Sequence, residues 1–206
     1  MTLLFIDSTY DITLGLLNKQ LGWSEFKRFS GQKASVILQT EVFNLLQSTK
    51  TKPENLEGIV TIAGPGFYTG LRLSEGFADV LKFFQKPLYS FYTYEIPAWC
   101  GVKEGVWMTK AYRGEYFFHH WNEKESKNVL ITSKELANYV AELGEVFIHS
   151  PPALDQLSLD LLKKTVSTHD LLQSRSQDIF AEVLKENLKR ESFYFRAPED
   201  EFKVSP

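Results

Sequence analysis

The apolar block Leu3–Asp7 (LLFID) ends on a carboxylate, and Thr13–Asn18 and Trp23–Phe29 follow it across the short spacers STYD and KQLG. Three extended segments joined this closely predict an antiparallel meander. The period then changes. Within Lys33–Lys50, Val36, Leu38, Val42, Leu45 and Leu46 recur at helical spacing, Ile37 and Phe43 widen the stripe, and Pro53 closes the segment. Gly58–Ala63 (GIVTIA) reads as a buried strand, followed by the turn AGPGFYTG, a helix over about Gly70–Gln85 and a strand over Lys86–Tyr92. A strand–helix–strand crossover implies parallel pairing. The expectation is a mixed α/β sheet covered by helices: the ribonuclease-H-like topology, which is also the half-unit of the actin-like ATPase and sugar-kinase superfamily.

The second half repeats this pattern more weakly. VWMTKAY and GEYFFHHW predict a hairpin turning at Arg113-Gly114, NVLIT a third strand, and SKELANYVAEL an amphipathic helix opened by Ser133. EVFIHS reads as a strand ended by Pro151-Pro152, and ALDQLSLDLLKKT and SQDIFAEVLKENLKR as helices. Pro97 and Gly101 act as breakers, so two tandem subdomains are expected, 1–102 and a smaller, degenerate 103–206. The tail RAPEDEFKVSP is charged and carries prolines, and reads as extended.

Composition changes this picture little. With 43% hydrophobic residues over 206 positions the chain can bury a sizeable core, and a formal charge of −3 gives no whole-chain attraction to nucleic acid. The single cysteine, Cys100, cannot form an internal disulfide and suits a reducing compartment, where it serves as buried filler or as a reactive thiol. The first residues lack the basic start and long apolar stretch of a signal peptide. No apolar run approaches the ~20 residues that span a bilayer. A cytoplasmic protein with no membrane contact is expected.

Candidate chemistry is sparse. Asp7 closes the first strand, where a superfamily carboxylate holds the metal of a bound nucleotide, but the turn DSTYDIT has no glycine to bring backbone N–H groups to a phosphate. The alternative is that Asp7 accepts N–H bonds within its own turn. AGPGFYTG matches neither the P-loop, for no Lys-Ser/Thr pair follows, nor the dinucleotide fingerprint. Gly64 and Gly66 either line an anion site at a helix start or permit a turn that other residues cannot make. Of the four histidines, adjacent His119 and His120 point to opposite faces of a strand, and His149 and His169 form no HExxH pattern. No metal site, no GxSxG elbow and no cofactor are therefore expected. The helix after the glycine turn carries Leu71, Leu73, Phe77, Val80, Leu81 and Phe84, more apolar surface than one narrow stripe needs. It buries more than one side, in the core or against a partner.

These motifs resemble the TsaB (YeaZ) family, inactive relatives of TsaD within the actin-like ATPase superfamily. Family members begin near LAIDTS, here LFIDST, and carry GPGSFTGLRIG, here GPGFYTGLRLS. A strand like DARRGEVY is matched by Lys110 to Phe117, and a closing YLR by Tyr194-Phe195-Arg196. Phe67 replaces the family serine, Lys33-Ala34-Ser35-Val36 stands where KHSE is usual, and Lys110 replaces an aspartate, which marks a divergent member. The resemblance implies a non-catalytic scaffold that binds a TsaD-like protein, with a TsaE-like ATPase, for N6-threonylcarbamoyladenosine modification of tRNA position 37. The tRNA would be met only indirectly. It implies an interface on the helices near Lys33–Lys50 and Gly70–Gln85, through Val42, Leu46, Phe77, Val80, Leu81 and Phe84, and a homodimer when the partner is absent. Gly64, Pro65, Gly66, Thr69 and Gly70 would form the structural loop that starts the second helix. The alternatives are a small actin-like ATPase or kinase acting alone through Asp7 and the glycine loop, and a peptidase, for which no nucleophile motif or metal pair is present.

Overall fold

The computed structural model describes residues 2–82, 85–111, 114–141, 143–149 and 165–195. By its contacts the chain divides into two units: Met1–Tyr92 together with the chain from Phe180 on, and Thr93–Ile179 between them. The division thus falls at Tyr92/Thr93 rather than at 102/103, and the C-terminal segment returns to the first unit.

In the first unit, β1 (Leu3–Asp7), β2 (Ile12–Leu17) and β3 (Trp23–Phe29) form the antiparallel meander. After α1 (Ala34–Ser48) and a 3-10 turn, β4 (Gly58–Gly64) pairs parallel with β1. α2 (Tyr68–Lys82) then leads to β5 (Leu88–Tyr92), parallel to β4, so the sheet order is β3-β2-β1-β4-β5. Strand alternation splits the core. Leu4, Ile6, Leu14 and Leu16 face Leu38, Val42, Leu45 and Leu46 of α1 and Ala78 of α2. Phe5, Phe91 and Trp23 on the other face meet Phe180 edge-on.

The second unit repeats the plan. A 3-10 turn and the short α3 (Ile96–Trp99) precede β6 (Gly105–Lys110), β7 (Glu115–Trp121) and β8 (Ser126–Thr132), which are antiparallel neighbours. α4 (Ser133–Ala141) leads to β9 (Val146–Ile148), parallel to β6, and β10 (Thr165–Ser167) pairs parallel with β9. The order β8-β7-β6-β9-β10 has the same sequence of parallel and antiparallel steps as the first sheet. These are two ribonuclease-H-like sheets flanked by helices. α5 (Thr168–Ser174) and α6 (Ser176–Lys185) follow.

Pro97 does not break structure as expected: it sits in the first turn of α3, where a missing N–H costs nothing. The helix expected over ALDQLSLDLLKKT lies outside the described residues but for Thr165, which is in β10, and the extended tail from Arg196 lies outside them altogether.

Candidate functional site

The end of β1 folds back on itself. Asp7 is 1% exposed, and its Oδ1 accepts from the Thr9 backbone N–H at 2.9 Å and the Thr9 hydroxyl at 2.7 Å. The carboxylate is engaged by its own turn, the arrangement a short Asx turn favours.

The glycine loop lies directly against that turn. The Phe67 N–H donates to the Thr9 carbonyl at 3.0 Å, and the Ser8 hydroxyl donates to the Gly70 carbonyl at 2.7 Å. Three glycines are required by what surrounds them. A Cβ on Gly70 would stand 1.8 Å from the Ser8 carbonyl oxygen, and one on Gly66 2.6 Å from the Thr9 Cβ. Gly64 has φ +116°, and its Cβ would meet the Phe193 carbonyl oxygen at 2.8 Å. The turn and the loop therefore touch backbone to backbone, and the glycines serve that contact. Pro65 follows a cis peptide bond. α2 begins at Tyr68, so Thr69 and Gly70 are already helical.

A third segment joins them. The Phe193 N–H donates to the Ala63 carbonyl at 2.8 Å, and the Tyr194 ring packs 5.2 Å from Tyr68. Arg72 lies over both rings, at 5.4 Å and 5.5 Å, and pairs with Glu75 at 3.0 Å. Phe67, 47% exposed, packs edge-on to Tyr10. LFIDST, GPGFYTGLRLS and Tyr194-Phe195, scattered along the sequence, thus lie together in space. KAYRGEYF lies in the second unit.

On the opposite flank of α2 is an apolar groove of about 460 Å³ between α1 and α2. Val42 and Leu46 form its floor and belong to the core, 3% and 9% exposed, while half-buried Phe77 lines one wall. Phe43 at 59% and Val80 at 64% stand out on its two rims. Val36, one heptad before Phe43 on the same stripe of α1, is 72% exposed. The side chain of Leu81 and all of Phe84 lie outside what the structure describes.

No protein-family model matches the sequence. A stretch of 82 residues is 34% identical to the Bacillus subtilis tRNA threonylcarbamoyladenosine biosynthesis protein TsaB, covering 39% of this chain and 36% of that protein. A Pseudomonas aeruginosa crystal structure described as similar to peptidase YeaZ superposes with TM-score 0.60 at 17% identity, over 93% of this chain and 99% of that one. YeaZ of the same organism gives TM-score 0.60 at 16%, covering 90% and 93%. The chain is thus similar to TsaB over the matched stretch and shares its fold with the YeaZ structures. The sequence match spans about a third of the length of its curated relative. The ethanolamine utilization protein EutJ of Carboxydothermus hydrogenoformans shares the fold more loosely, with TM-score 0.50 at 14% identity over 84% of this chain and 87% of that one.

The remaining sequence candidates are accounted for by packing. His119 stacks on Tyr94 at 4.0 Å and contacts Asn128 at 2.7 Å, whereas His120 contacts the Tyr139 hydroxyl at 2.6 Å on the other face. Burial pushes both imidazoles below their ordinary range. His149 is 2% exposed and lies 3.0 Å from the Thr168 hydroxyl, which donates to the Ile148 carbonyl. The Thr168 proton is thus committed, so His149 Nδ1 is the donor in their contact. Burial pushes the Cys100 thiol up, away from reactive thiolate character. Among the described residues no cluster of His, Cys, Asp and Glu is arranged to hold a metal. No helix among them is long and apolar enough to cross a membrane.

Proposed function

We propose that this chain is a non-catalytic scaffold subunit in N6-threonylcarbamoyladenosine modification of tRNA position 37. It binds a TsaD-like protein, which carries the chemistry, in an assembly with a TsaE-like ATPase. The observation that carries this reading is the groove between α1 and α2, with Phe43 and Val80 exposed on its rims and Val36 beside it. Bulky apolar side chains grouped on one helical face mark a surface that a partner covers. In the absence of the partner a second copy covers the same face. The filled contact between the β1 turn and the glycine loop supports a structural role for both segments and leaves Asp7 turned inward.

The test is to mix the chain with the TsaD-like protein of the same organism and follow co-elution at micromolar concentration. A stable complex supports the proposal, and separate elution counts against it. Calorimetry of the chain alone with Mg-ATP separates the rival class: a saturable heat would favour an ATPase or kinase acting alone.

A further inference from the structure

A second groove, of about 600 Å³, lies in the first unit on the face of α2 turned away from the apolar one. Its floor is β4 and β5, where Thr61 and Ser90 are register partners. One wall is α2, and the other is the C-terminal segment, held to β5 by the Ser90 N–H to the Leu188 carbonyl at 2.9 Å and the Arg190 N–H to the Ser90 carbonyl at 3.2 Å. The size is that of a small-molecule site.

The floor holds an uncommitted polar group. Thr61 is 5% exposed, lines the groove, and its hydroxyl has no hydrogen-bond partner among the described residues. The Ser90 hydroxyl beside it is spent on the Arg190 carbonyl at 2.7 Å. The Thr61 hydroxyl opens onto the cleft, so it is free to donate to a ligand seated on this floor.

Charge selects the ligand. Arg72, Lys86, Lys189 and Arg190 face the groove against Glu75 and Asp79, an excess of two positive charges. Glu75 is already held by Arg72 at 3.0 Å and by the Ser192 hydroxyl. The Lys86 ammonium gives one proton to the Glu54 carbonyl at 2.7 Å and keeps two. Lys189 has no ion-pair partner among the described residues. We infer that this groove binds a small molecule carrying a phosphate monoester, whose dianion matches the excess charge, with Lys86 and Lys189 on the phosphate and Thr61 donating to an oxygen at the floor.

The full chain is titrated with inorganic phosphate and ribose 5-phosphate, with ribose as the uncharged control, by calorimetry and amide NMR. Saturable binding of the phosphate probes is expected, with shifts centred on Thr61 and Ser90 and none with ribose. Lys86→Gln with Lys189→Gln is expected to weaken it about ten-fold or more, as loss of charge-assisted hydrogen bonds does. Thr61→Val is expected to weaken it several-fold while leaving the melting temperature unchanged or higher. Absence of saturation by about 10 mM overturns the inference, since affinity would then be below that of a built site. Equal binding to the double variant means an adventitious ion only and also overturns it, as does a Thr61→Val chain that melts lower, because the hydroxyl would then be structural.

Discussion

Gly70→Ala and Gly76→Ala make the same change in one helix, and the structure assigns them opposite signs. In an exposed helix interior, Ala is worth up to about 1 kcal/mol over Gly. Gly76 is exposed and a Cβ there meets nothing within 4 Å, so that gain is realised: roughly 2–4 °C in melting temperature for a chain of this size. At Gly70 the new Cβ stands 1.8 Å from the Ser8 carbonyl oxygen, well under the 3.0 Å that real Cβ atoms respect. The obstacle is backbone, pinned by the Ser8 bond to Gly70 and by Thr9 on Asp7. Overpacking of this kind costs about 3 kcal/mol, and parting the Ser8 hydroxyl from Gly70 about 1 more, against the gain of about 1. The net loss is about 3 kcal/mol, or roughly 6 °C or more. Thermal and urea unfolding of both variants measure it. A Gly70→Ala chain within about 1 kcal/mol of the parent would refute the claim that turn and loop are in backbone contact.

Acidification probes the second unit. Folded His119 and His120 lie below their ordinary pKa, so the unfolded chain binds more protons below pH ~6.5, and stability falls as pH drops from there. Thermal melts between pH 7 and pH 5 should show this loss, and His119→Gln should flatten it; an unchanged slope contradicts the assignment. Cys100, its thiol pushed up by burial, should react with iodoacetamide at neutral pH more slowly than free cysteine. A rate equal to or above that of the free amino acid would restore a reactive thiol.

Much of this was legible in the sequence because the signals were local. β1 and β3 run over the residues their apolar patterns marked, and the parallel crossovers follow from element order. β10 and α5 escaped notice: three half-buried residues carry no period, and a seven-residue helix carries little more. The Ser167 hydroxyl caps α5 by accepting from the Asp170 N–H. Apolar residues spread over a wide arc of α1, so spacing alone could not tell which stripe meets the sheet. The structure buries Leu38, Val42, Leu45 and Leu46 and leaves Val36 and Phe43 outside, residues the sequence reading had placed only in the helical pattern. The Thr61 groove was not legible, because it depends on the C-terminal segment lying against β5.

The account turns on the face shared by α1 and α2. Phe43→Asp and Val80→Asp change side chains that are 59% and 64% exposed, so each should leave the stability within about 0.5 kcal/mol of the parent. Sedimentation of the chain with the TsaD-like protein, for the parent and the double variant, tests the face directly. The expected result is a complex for the parent and separate species for the folded variant. A variant that still binds as tightly as the parent would contradict the assignment.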